Sequence, residues 1–352
     1  TSTQTEFNDV TSSNRGAVDT NKEEKPFTLN QNFNLYYTID EKNIFASELQ
    51  HIYEKDEPLY NSLATTQPFL LIPASDQERI YDLVQDKKTT TSKFDAKLDY
   101  FYLLSPKSHL NVTFGTTFSS QSLESQISQN LDNGSVLNFT DSELNNDADY
   151  NFSDVFLGLR YKMVTGIFTF HPGIKIHQYN TKDNQFGSEN SESFTKVVPD
   201  LYANLQFKSS QSLRFNYSIT NQFTDINNIA EGYLLSSYNA LRGGNRNLES
   251  SLNHRYSLNF FSFSMFSFTN INASLTYTKK VNGVKNSTEL IGVDRISFPF
   301  NSDFADETFS AFFRYGKTYN KFKTNFSARM NSSIFNNIVN NEAIRSKNFT
   351  HN

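Results

Sequence analysis

Three carboxylates near the middle of the chain have the type and spacing that could bind a metal ion. Asp147 and Asp149 stand at alternate positions in the segment Asn145-Asn-Asp-Ala-Asp149, and Asp154 follows closely. Alternating carboxylates and amides suit Ca²⁺, which takes about six to eight oxygen ligands. The segment lacks the Gly and the bidentate Glu of an EF-hand loop. Asp147, Asp149 and Asp154 therefore form a candidate calcium site, with a solvated acidic loop as the alternative.

Other metal and catalytic chemistry finds no support in the sequence. His171 and His177 lie six residues apart on one predicted strand, which separates them by about 20 Å at a rise of about 3.3 Å per residue. The chain has no cysteine, and hence no disulfide or thiol nucleophile. It also lacks the G-x-S-x-G, H-E-x-x-H, P-loop and G-x-G-x-x-G signatures. We predict no enzyme and no cofactor.

A loop that mixes aromatic rings with hydrogen-bond donors is the candidate ligand-binding segment. It begins at Gly232-Tyr-Leu-Leu-Ser-Ser-Tyr-Asn239 and continues through two arginines. Rings combined with amides and guanidinium groups suit a sugar, a peptide or a siderophore. Simple packing of the loop is the alternative. The candidate residues are Tyr233, Tyr238, Asn239, Arg242, Asn245 and Arg246.

The elements that must position these residues alternate strictly between apolar and polar side chains. In residues 213–219, Leu213, Phe215, Tyr217 and Ile219 share one face, and polar side chains occupy the other. Such a period of two is typical of a strand with one greasy and one wet face. The predicted strands are approximately 27–39, 44–54, 92–104, 109–120, 150–162, 167–180, 194–208, 212–221, 248–262, 268–280, 289–315 and 321–334, with the start of another at 341–352.

The links between these strands alternate between short and long. Short links such as Asp40-Glu-Lys-Asn43 carry turn residues, whereas the links at about 55–91, 121–149, 181–193 and 222–247 are long and polar. Bacterial membrane barrels have tight periplasmic turns and long outer loops, and a tilted strand needs about 9–11 residues to cross the bilayer. The fold class is therefore all-β, an antiparallel transmembrane β-barrel in the bacterial outer membrane.

Polar residues on the inward faces of the strands are the predicted working surface of this barrel. They would wet the lumen or hold a plug by hydrogen bonds and ion pairs, and plain solvation of the interior is the alternative. Net charge is −5 without a basic stripe, so nucleic acid is not an expected partner. The predicted lumen-facing residues are Lys97, Asp99, Arg160, Lys175, Arg214, Asn216, Asn259, Lys323, Asn325 and Arg329.

We divide the chain into an outer loop or flexible segment at 1–26 and a barrel section at 27–352. About twelve strands are visible. Either they close on themselves or they belong to a larger barrel whose remaining strands lie elsewhere in the intact protein. The second alternative follows because each unpaired backbone group at an open edge in lipid costs several kcal/mol.

Four stretches resemble the β-barrel of TonB-dependent outer-membrane receptors, with the closest likeness to those of Bacteroidetes-type bacteria. One runs from Phe215-Asn-Tyr-Ser-Ile-Thr220 to Gly244-Asn-Arg-Asn-Leu-Glu249, where the family has a G-N-P-x-L-x-P-E signature. Gly244, Asn245 and Leu248 match, whereas Arg246 and Ser250 replace the two prolines. The other stretches are Phe94–Gly115, Phe156–Ile176 and Phe300–Phe326.

The resemblance implies a barrel of 22 strands, a plug domain inside the lumen and a TonB-type energy-coupling protein as partner. The implied function is uptake of a nutrient such as a siderophore, glycan or peptide across a lipid bilayer. One alternative is a non-transporting scaffold or docking barrel for surface lipoproteins or an assembly machine. A second alternative is a soluble β-rich adhesin, whose strands would bury one face in a sandwich.

Overall fold

The alternating segments fold into strands along nearly the whole chain. The structure, a computed structural model, describes residues 2–9, 12–67, 69, 71–76, 78–140, 142–292, 294–340 and 342–352. It contains one short helix, α1 (Ile226–Ile229), and a 3₁₀ turn at Ser142–Leu144. The strands are β1 (Ser2–Asp9), β2 (Ser12–Glu23), β3 (Phe27–Thr38), β4 (Asn43–Asp56), β5 (Leu59–Ala64), β6 (Tyr81–Ser105), β7 (Ser108–Asn130), β8 (Val136–Asn138), β9 (Asn145–Thr165), β10 (Phe168–Gln185), β11 (Ser188–Lys208), β12 (Gln211–Gln222), β13 (Leu234–Ser237), β14 (Ala240–Arg242), β15 (Ser251–Ser264), β16 (Thr269–Val281), β17 (Gly283–Ile291), β18 (Asp294–Ser302), β19 (Asp306–Tyr319), β20 (Phe322–Val339) and β21 (Glu342–His351).

Thirteen of these strands form one continuous antiparallel wall. Their order is β3-β4-β6-β7-β9-β10-β11-β12-β15-β16-β19-β20-β21. In the part of the chain that the structure describes, β3 and β21 do not pair with each other, so the wall is an open section of a barrel. The predicted antiparallel barrel wall is confirmed, with thirteen strands where the sequence predicts about twelve and the start of another. The alternative in which twelve strands close on themselves is wrong.

One face of the wall is apolar and exposed. Phe114, Leu157, Ile176 and Val197 are register partners on four neighbouring strands. Between 51% and 58% of each is exposed. A row of exposed apolar side chains is unfavourable in water, whereas it is the expected lipid-facing band of a membrane barrel. The soluble adhesin alternative is therefore wrong, because its apolar faces would be buried between two sheets. Among the described residues, no helix is long and apolar enough to span a bilayer.

Several predicted links prove to be continuations of strands. The polar link at 181–193 is a projecting hairpin of β10 and β11, closed by Phe186 and Gly187 with φ of 48° and 82°. The predicted strand at 289–315 is also wrong. It is divided into the end of β17, β18 and β19, with Gly292 at a positive φ of 64° in the first turn.

Residues 1–26 contain the hairpin of β1 and β2, where the sequence predicts an outer loop or flexible segment. Strand β2 pairs with β5, and β5 pairs with residues 81–86 of β6. The membrane half of β6 pairs instead with β4. The hairpin thus extends the sheet sideways beyond the lipid-facing band, and the domain boundary after residue 26 stays a prediction.

The dry core of the molecule lies above the wall, in what we call the cap. The cap comprises the described parts of loops 65–80, 131–144 and 223–250, together with the hairpin of β17 and β18. It packs onto the outer extensions of β6, β7 and β9. Its first cluster of buried side chains consists of Phe69, Ile72, Leu83, Ile127, Phe139, Leu144, Leu235 and Leu241. Its second cluster consists of Leu123, Ala148, Tyr150, Ile226, Ile229, Ala230 and Leu234.

Candidate binding site at the outer mouth

Loop 223–250 lies across the inward face of the wall because glutamines on the wall hold its backbone. Gln121 Oε1 accepts a hydrogen bond of 2.9 Å from the Ile226 amide at the start of α1. Gln85 is only 5% exposed, and its Oε1 accepts a bond of 2.6 Å from the Leu235 amide. A buried amide group is costly unless it is satisfied, so these contacts fix the loop over the lumen.

A lysine adds an anchor to α1. Lys87 Nζ donates a hydrogen bond of 2.5 Å to Asn227 Oδ1. Burial lowers the pKa of Lys87, while the nearby carboxylates of Asp56 and Asp225 oppose that shift. Lys87 lies on the outer extension of β6, beyond the lipid-facing band. It therefore holds the helix from the rim of the barrel.

Two neighbouring cavities open beneath this loop. The first has a volume of about 470 Å³ and the second of about 430 Å³. Tyr150, Phe223 and Thr224 line both. Volumes of this size suit a small organic ligand. The first cavity is lined mainly by hydroxyl, amide and cationic groups, among them Lys93, Ser119, Gln121, Asn228, Arg242, Ser251, Lys280 and Asn286.

An aromatic cluster forms the boundary between the two cavities. Phe223 on the loop packs against Phe152, Tyr179 and Phe194 on the wall, with ring centroids 4.5, 4.9 and 6.0 Å away. Lys196 Nζ lies 5.1 Å from the centroid of the Phe194 ring. Aromatic faces beside amide and charged groups can bind a ligand that has both apolar and polar surfaces.

Close backbone packing explains Gly244 in the glycine-asparagine motif. A Cβ atom at residue 244 would overlap the carbonyl oxygen of Ala230. The Asn245 amide then donates a hydrogen bond of 2.7 Å to the Asn228 carbonyl oxygen. The motif thus closes the loop onto the end of α1.

The predicted ligand residues divide between packing and the cavities. Tyr233 packs edge-on against Phe298 at 5.8 Å between centroids, within the cap. Asn245 Nδ2 donates to the Pro299 carbonyl oxygen at 3.1 Å. Tyr238 and Asn239 lie at the turn between β13 and β14, and neither lines either cavity.

The two arginines differ in what they contact. Arg246 forms a largely buried ion pair of 2.8 Å with Asp183 and lines the second cavity. Arg242 donates to Asn228 Oδ1 and lines the first cavity. Its Nε is buried and has no hydrogen-bond partner in the part of the chain that the structure describes. The Nε of Arg246 is likewise buried and has no partner among the described residues. Both predicted arginines therefore keep one unused donor at a cavity, Arg242 at the first and Arg246 at the second.

The structure separates the candidate calcium ligands. Residues 145–165 form strand β9 rather than a loop, so Asp147 and Asp149 point to the face opposite that of Asp154. Asp154 accepts a hydrogen bond of 2.9 Å from Nδ1 of His177. No cluster of three or more metal-ligating side chains occurs among the described residues. The structure therefore does not bring the three candidate calcium ligands together, because successive side chains of a strand point to opposite faces.

The ten predicted lumen residues all lie on the face opposite the apolar band, as their register shows. Lys97 pairs with Asp99 at 2.7 Å, and Arg160 with Asp200. Lys175 Nζ lies 5.6 Å from the centroid of the Phe156 ring. Asn216 donates to Ser257, and Arg329 lies over Phe312. Arg214 and Asn259 line a further cavity lower in the wall. Lys323 and Asn325 are exposed. Their role in wetting a lumen or holding a plug stays a prediction.

Three residues that line the two cavities were not predicted from the sequence. Phe223, Gln121 and Lys196 lie on or beside segments that read as polar loop or plain strand. One signal was available. Phe152, Tyr179 and Phe194 are aromatic residues at inward positions of three neighbouring strands.

Comparison with known proteins supports the fold. The comparison with curated protein sequences gave no match. Among solved structures, the ferric citrate transporter FecA in its unliganded form is 12% identical with a TM-score of 0.51, over 95% of this chain and 43% of that one. The siderophore receptor PiuA from Acinetobacter baumannii is 10% identical with a TM-score of 0.52, over 94% and 49%. The copper transporter OprC is 7% identical with a TM-score of 0.50, over 95% and 56%.

The chain thus spans about half the length of the structures it matches. At these identities the likeness shows a shared barrel wall. A sequence model of one protein family indicates the same fold. This model, described as "Outer membrane protein beta-barrel family", matches residues 49–352. With a thirteen-strand open wall, an exposed apolar band and this match, the chain belongs to the outer membrane protein β-barrel family.

Proposed function

We propose that this chain forms the wall and outer cap of a protein that takes up a solute across the bacterial outer membrane. The two cavities between the cap and the wall are the first binding site for that solute. The observation that carries the proposal is their position, since they open beneath a packed loop at the outer end of a membrane-spanning wall. A ligand bound there has left bulk water but has not yet crossed the lipid.

The similar solved structures support this proposal by their described activities. FecA is a ferric citrate transporter, PiuA a siderophore receptor and OprC a copper transporter. By analogy, uptake by the intact protein would use a plug domain and a TonB-type energy-coupling protein. The cavity walls offer aromatic rings, amides and hydroxyls, which suit a nutrient such as a siderophore, a glycan or a peptide.

Uptake is tested in the native host, with the gene deleted and then restored. Cells are given a mixed medium of glycans, peptides and siderophores, and depletion of each solute is followed by mass spectrometry. We expect at least one solute class to be consumed only when the gene is present. The variants Phe223→Ala and Arg242→Gln should slow that consumption about tenfold, as expected for lost packing and one lost charge-assisted hydrogen bond.

The matched control is Arg345→Gln, an exposed arginine on β21 far from the mouth in sequence. Its consumption rate should equal that of the wild type at equal surface abundance. If deletion changes the consumption of no solute, the uptake proposal is wrong.

A docking barrel is the second candidate, because the cap exposes apolar side chains to the outside. Leu71, Ile80 and Val136 are 41%, 44% and 55% exposed. A surface lipoprotein would cover them in a stable complex. Crosslinking in whole cells, followed by affinity purification, should then recover one partner in near-equal amounts, and Val136→Asp should lose it.

A further inference from the structure

Inward-facing charges are arranged differently in the two halves of the wall. From β4 to β11, inward carboxylates accompany the cations. Lys97 lies 2.7 Å from Asp99 and 3.7 Å from Glu48. Lys93 lies 2.8 Å from Asp95. This half of the inward face is close to electrically balanced.

The half from β12 to β20 carries inward cations without matching carboxylates. Strands β12, β15, β16 and β20 contain no Asp or Glu at all, and β19 has acidic residues only at its outer end. Among the described residues, none of the inward cations of this half forms an ion pair. Five of these inward cations have exposed side chains, and we call the five the basic strip. They are Arg214, Arg255, Arg314, Lys323 and Arg329.

Strand register places two arginines of the strip on one cross-strand row and a third diagonally beside one of them. Arg214, Asn259, Ser274, Phe312 and Arg329 are successive cross-strand partners along one row. Arg314 pairs with Ser327, two residues from Arg329, which places the two Cα atoms about 7–8 Å apart. The positive charges of Arg314 and Arg329 therefore lie side by side, and Arg214 lies on the same row three strands further from Arg329 than Phe312 does.

A cavity of about 570 Å³ lies on the strip. Arg214 and Arg314 line it together with amides, hydroxyls and the rings of Phe261 and Phe312. Guanidinium groups bind carboxylates and phosphates in bidentate geometry, and amides and hydroxyls add hydrogen bonds to a polyol. The lining thus matches a small molecule that bears both an anionic group and hydroxyls.

We propose that the basic strip selects an anionic, hydroxyl-bearing small solute and guides it down one side of the lumen. Resting on the proposed function, this inference names the chemical class of the solute and a second binding site below the mouth. Unbalanced charge of one sign along a channel wall raises the local concentration of the opposite ion. Arg242 and Lys280 at the first mouth cavity extend the same positive face upward.

Binding of matched probes to the purified intact protein tests the proposal. Glucose, glucuronate and glucose 6-phosphate share a sugar ring and differ in charge. Isothermal titration calorimetry at low and high salt should show at least tenfold tighter binding of one charged probe than of glucose. That preference should shrink at high salt, because salt screens exposed charges. The ratio of the two charged probes distinguishes carboxylate from phosphate recognition.

The double variant Arg214→Gln/Arg314→Gln should lose at least tenfold in affinity for the charged probe. Arg214→Lys/Arg314→Lys retains both charges and should lose less than half of that effect on a logarithmic scale. Arg345→Gln, at an arginine that does not line the cavity, should bind as the wild type does.

Equal binding of glucose and both charged probes overturns the proposal, as does a double Gln variant that binds normally. If no probe binds and the double Gln variant melts at a lower temperature, the strip contacts an acidic protein surface, and the proposal is also overturned. These titrations need no transport. Failed uptake with intact anion binding would therefore reject the proposed function alone, and normal uptake without anion binding would reject the strip alone.

Discussion

The wall and the cap use the same apolar residue types in opposite ways. Leu157 on the wall is 56% exposed, whereas Leu241 in the cap is 1% exposed. The wall turns its leucines outward because lipid surrounds it, and its inward face is polar. The cap stands in water and buries its leucines against loops. One chain therefore folds for two solvents, and the boundary between them crosses β6 to β11.

Truncating a buried leucine tests whether the cap, which stands in water, is stabilised by its apolar core. Leu241→Ala should destabilise the cap by about 2–5 kcal/mol, the usual cost of a cavity at a buried leucine. The wall should stay folded, since its backbone ladder does not depend on that side chain. Limited proteolysis should cut the cap loops faster, while migration of the unheated barrel on a gel should not change.

The control for this change is Leu290→Ala, because Leu290 is 47% exposed on the hairpin of β17 and β18. It should behave as the wild type does. Equal protease sensitivity of Leu241→Ala and the wild type would show that the cap is not held by its dry core.

A charged residue placed on the apolar band tests whether that face of the wall lies in lipid. Leu157→Arg should destabilise the wall by about 2–4 kcal/mol, the cost of arginine near the bilayer midplane in a barrel. Leu290→Arg, at a similarly exposed leucine of the cap, should cost almost nothing in water. Refolding into lipid vesicles at a series of urea concentrations measures both, and equal costs would contradict a lipid-facing band.

Overpacking the inward face should have a smaller effect. A Cβ atom at Gly115 would overlap the ring of Phe156, which stacks on His177 at 4.7 Å between centroids. Gly115→Val should therefore destabilise the wall by about 1–3 kcal/mol. Gly158→Ala is the matched control, because its nearest neighbour is the flexible Lys175 side chain at 3.1 Å. The same urea series compares them, and equal stability would mean that Phe156 moves freely.

The smallest expected effect is a pH dependence at the edge of the cap. Burial raises the pKa of Asp294 to about 6, above about 3.9 for a free carboxyl. The folded hairpin then holds a proton that the open hairpin releases, so its stability should fall as pH rises from about 4 to about 6 and stay level above that. Hydrogen exchange of β17 and β18, corrected for intrinsic rates, measures this, and Asp294→Asn should abolish the dependence.

The wall could be predicted from the sequence because its signal is local. Period-two alternation in segments such as 213–219 needs only neighbouring residues, and each predicted wall strand overlaps an observed one. The outer extensions of β6 and β7 were missed because apolar residues are sparse there. In residues 121–130 of β7, only Leu123 and Ile127 mark the buried face.

The cap and the mouth could not be predicted because they depend on residues distant in sequence. Gln85 reaches Leu235 across 150 residues, and Ile226 and Ile229 pack against Leu123 and Ala148 on other strands. Within an Asn-rich and Ser-rich loop these isoleucines resemble isolated apolar residues. The basic strip was predicted only in part. Arg214, Lys323 and Arg329 were among the predicted lumen-facing residues, whereas Arg255 and Arg314 were not.

The hairpin of β10 and β11 is long enough to project from the cell surface. Strand β10 has 18 residues, about 60 Å at about 3.3 Å per residue, whereas a tilted strand needs only about 9–11 residues to cross the bilayer. Nearly half of the hairpin therefore stands clear of the lipid, with Phe186 53% exposed at its tip. An antibody or a bacteriophage approaching the cell would touch this ribbon before it reached the membrane.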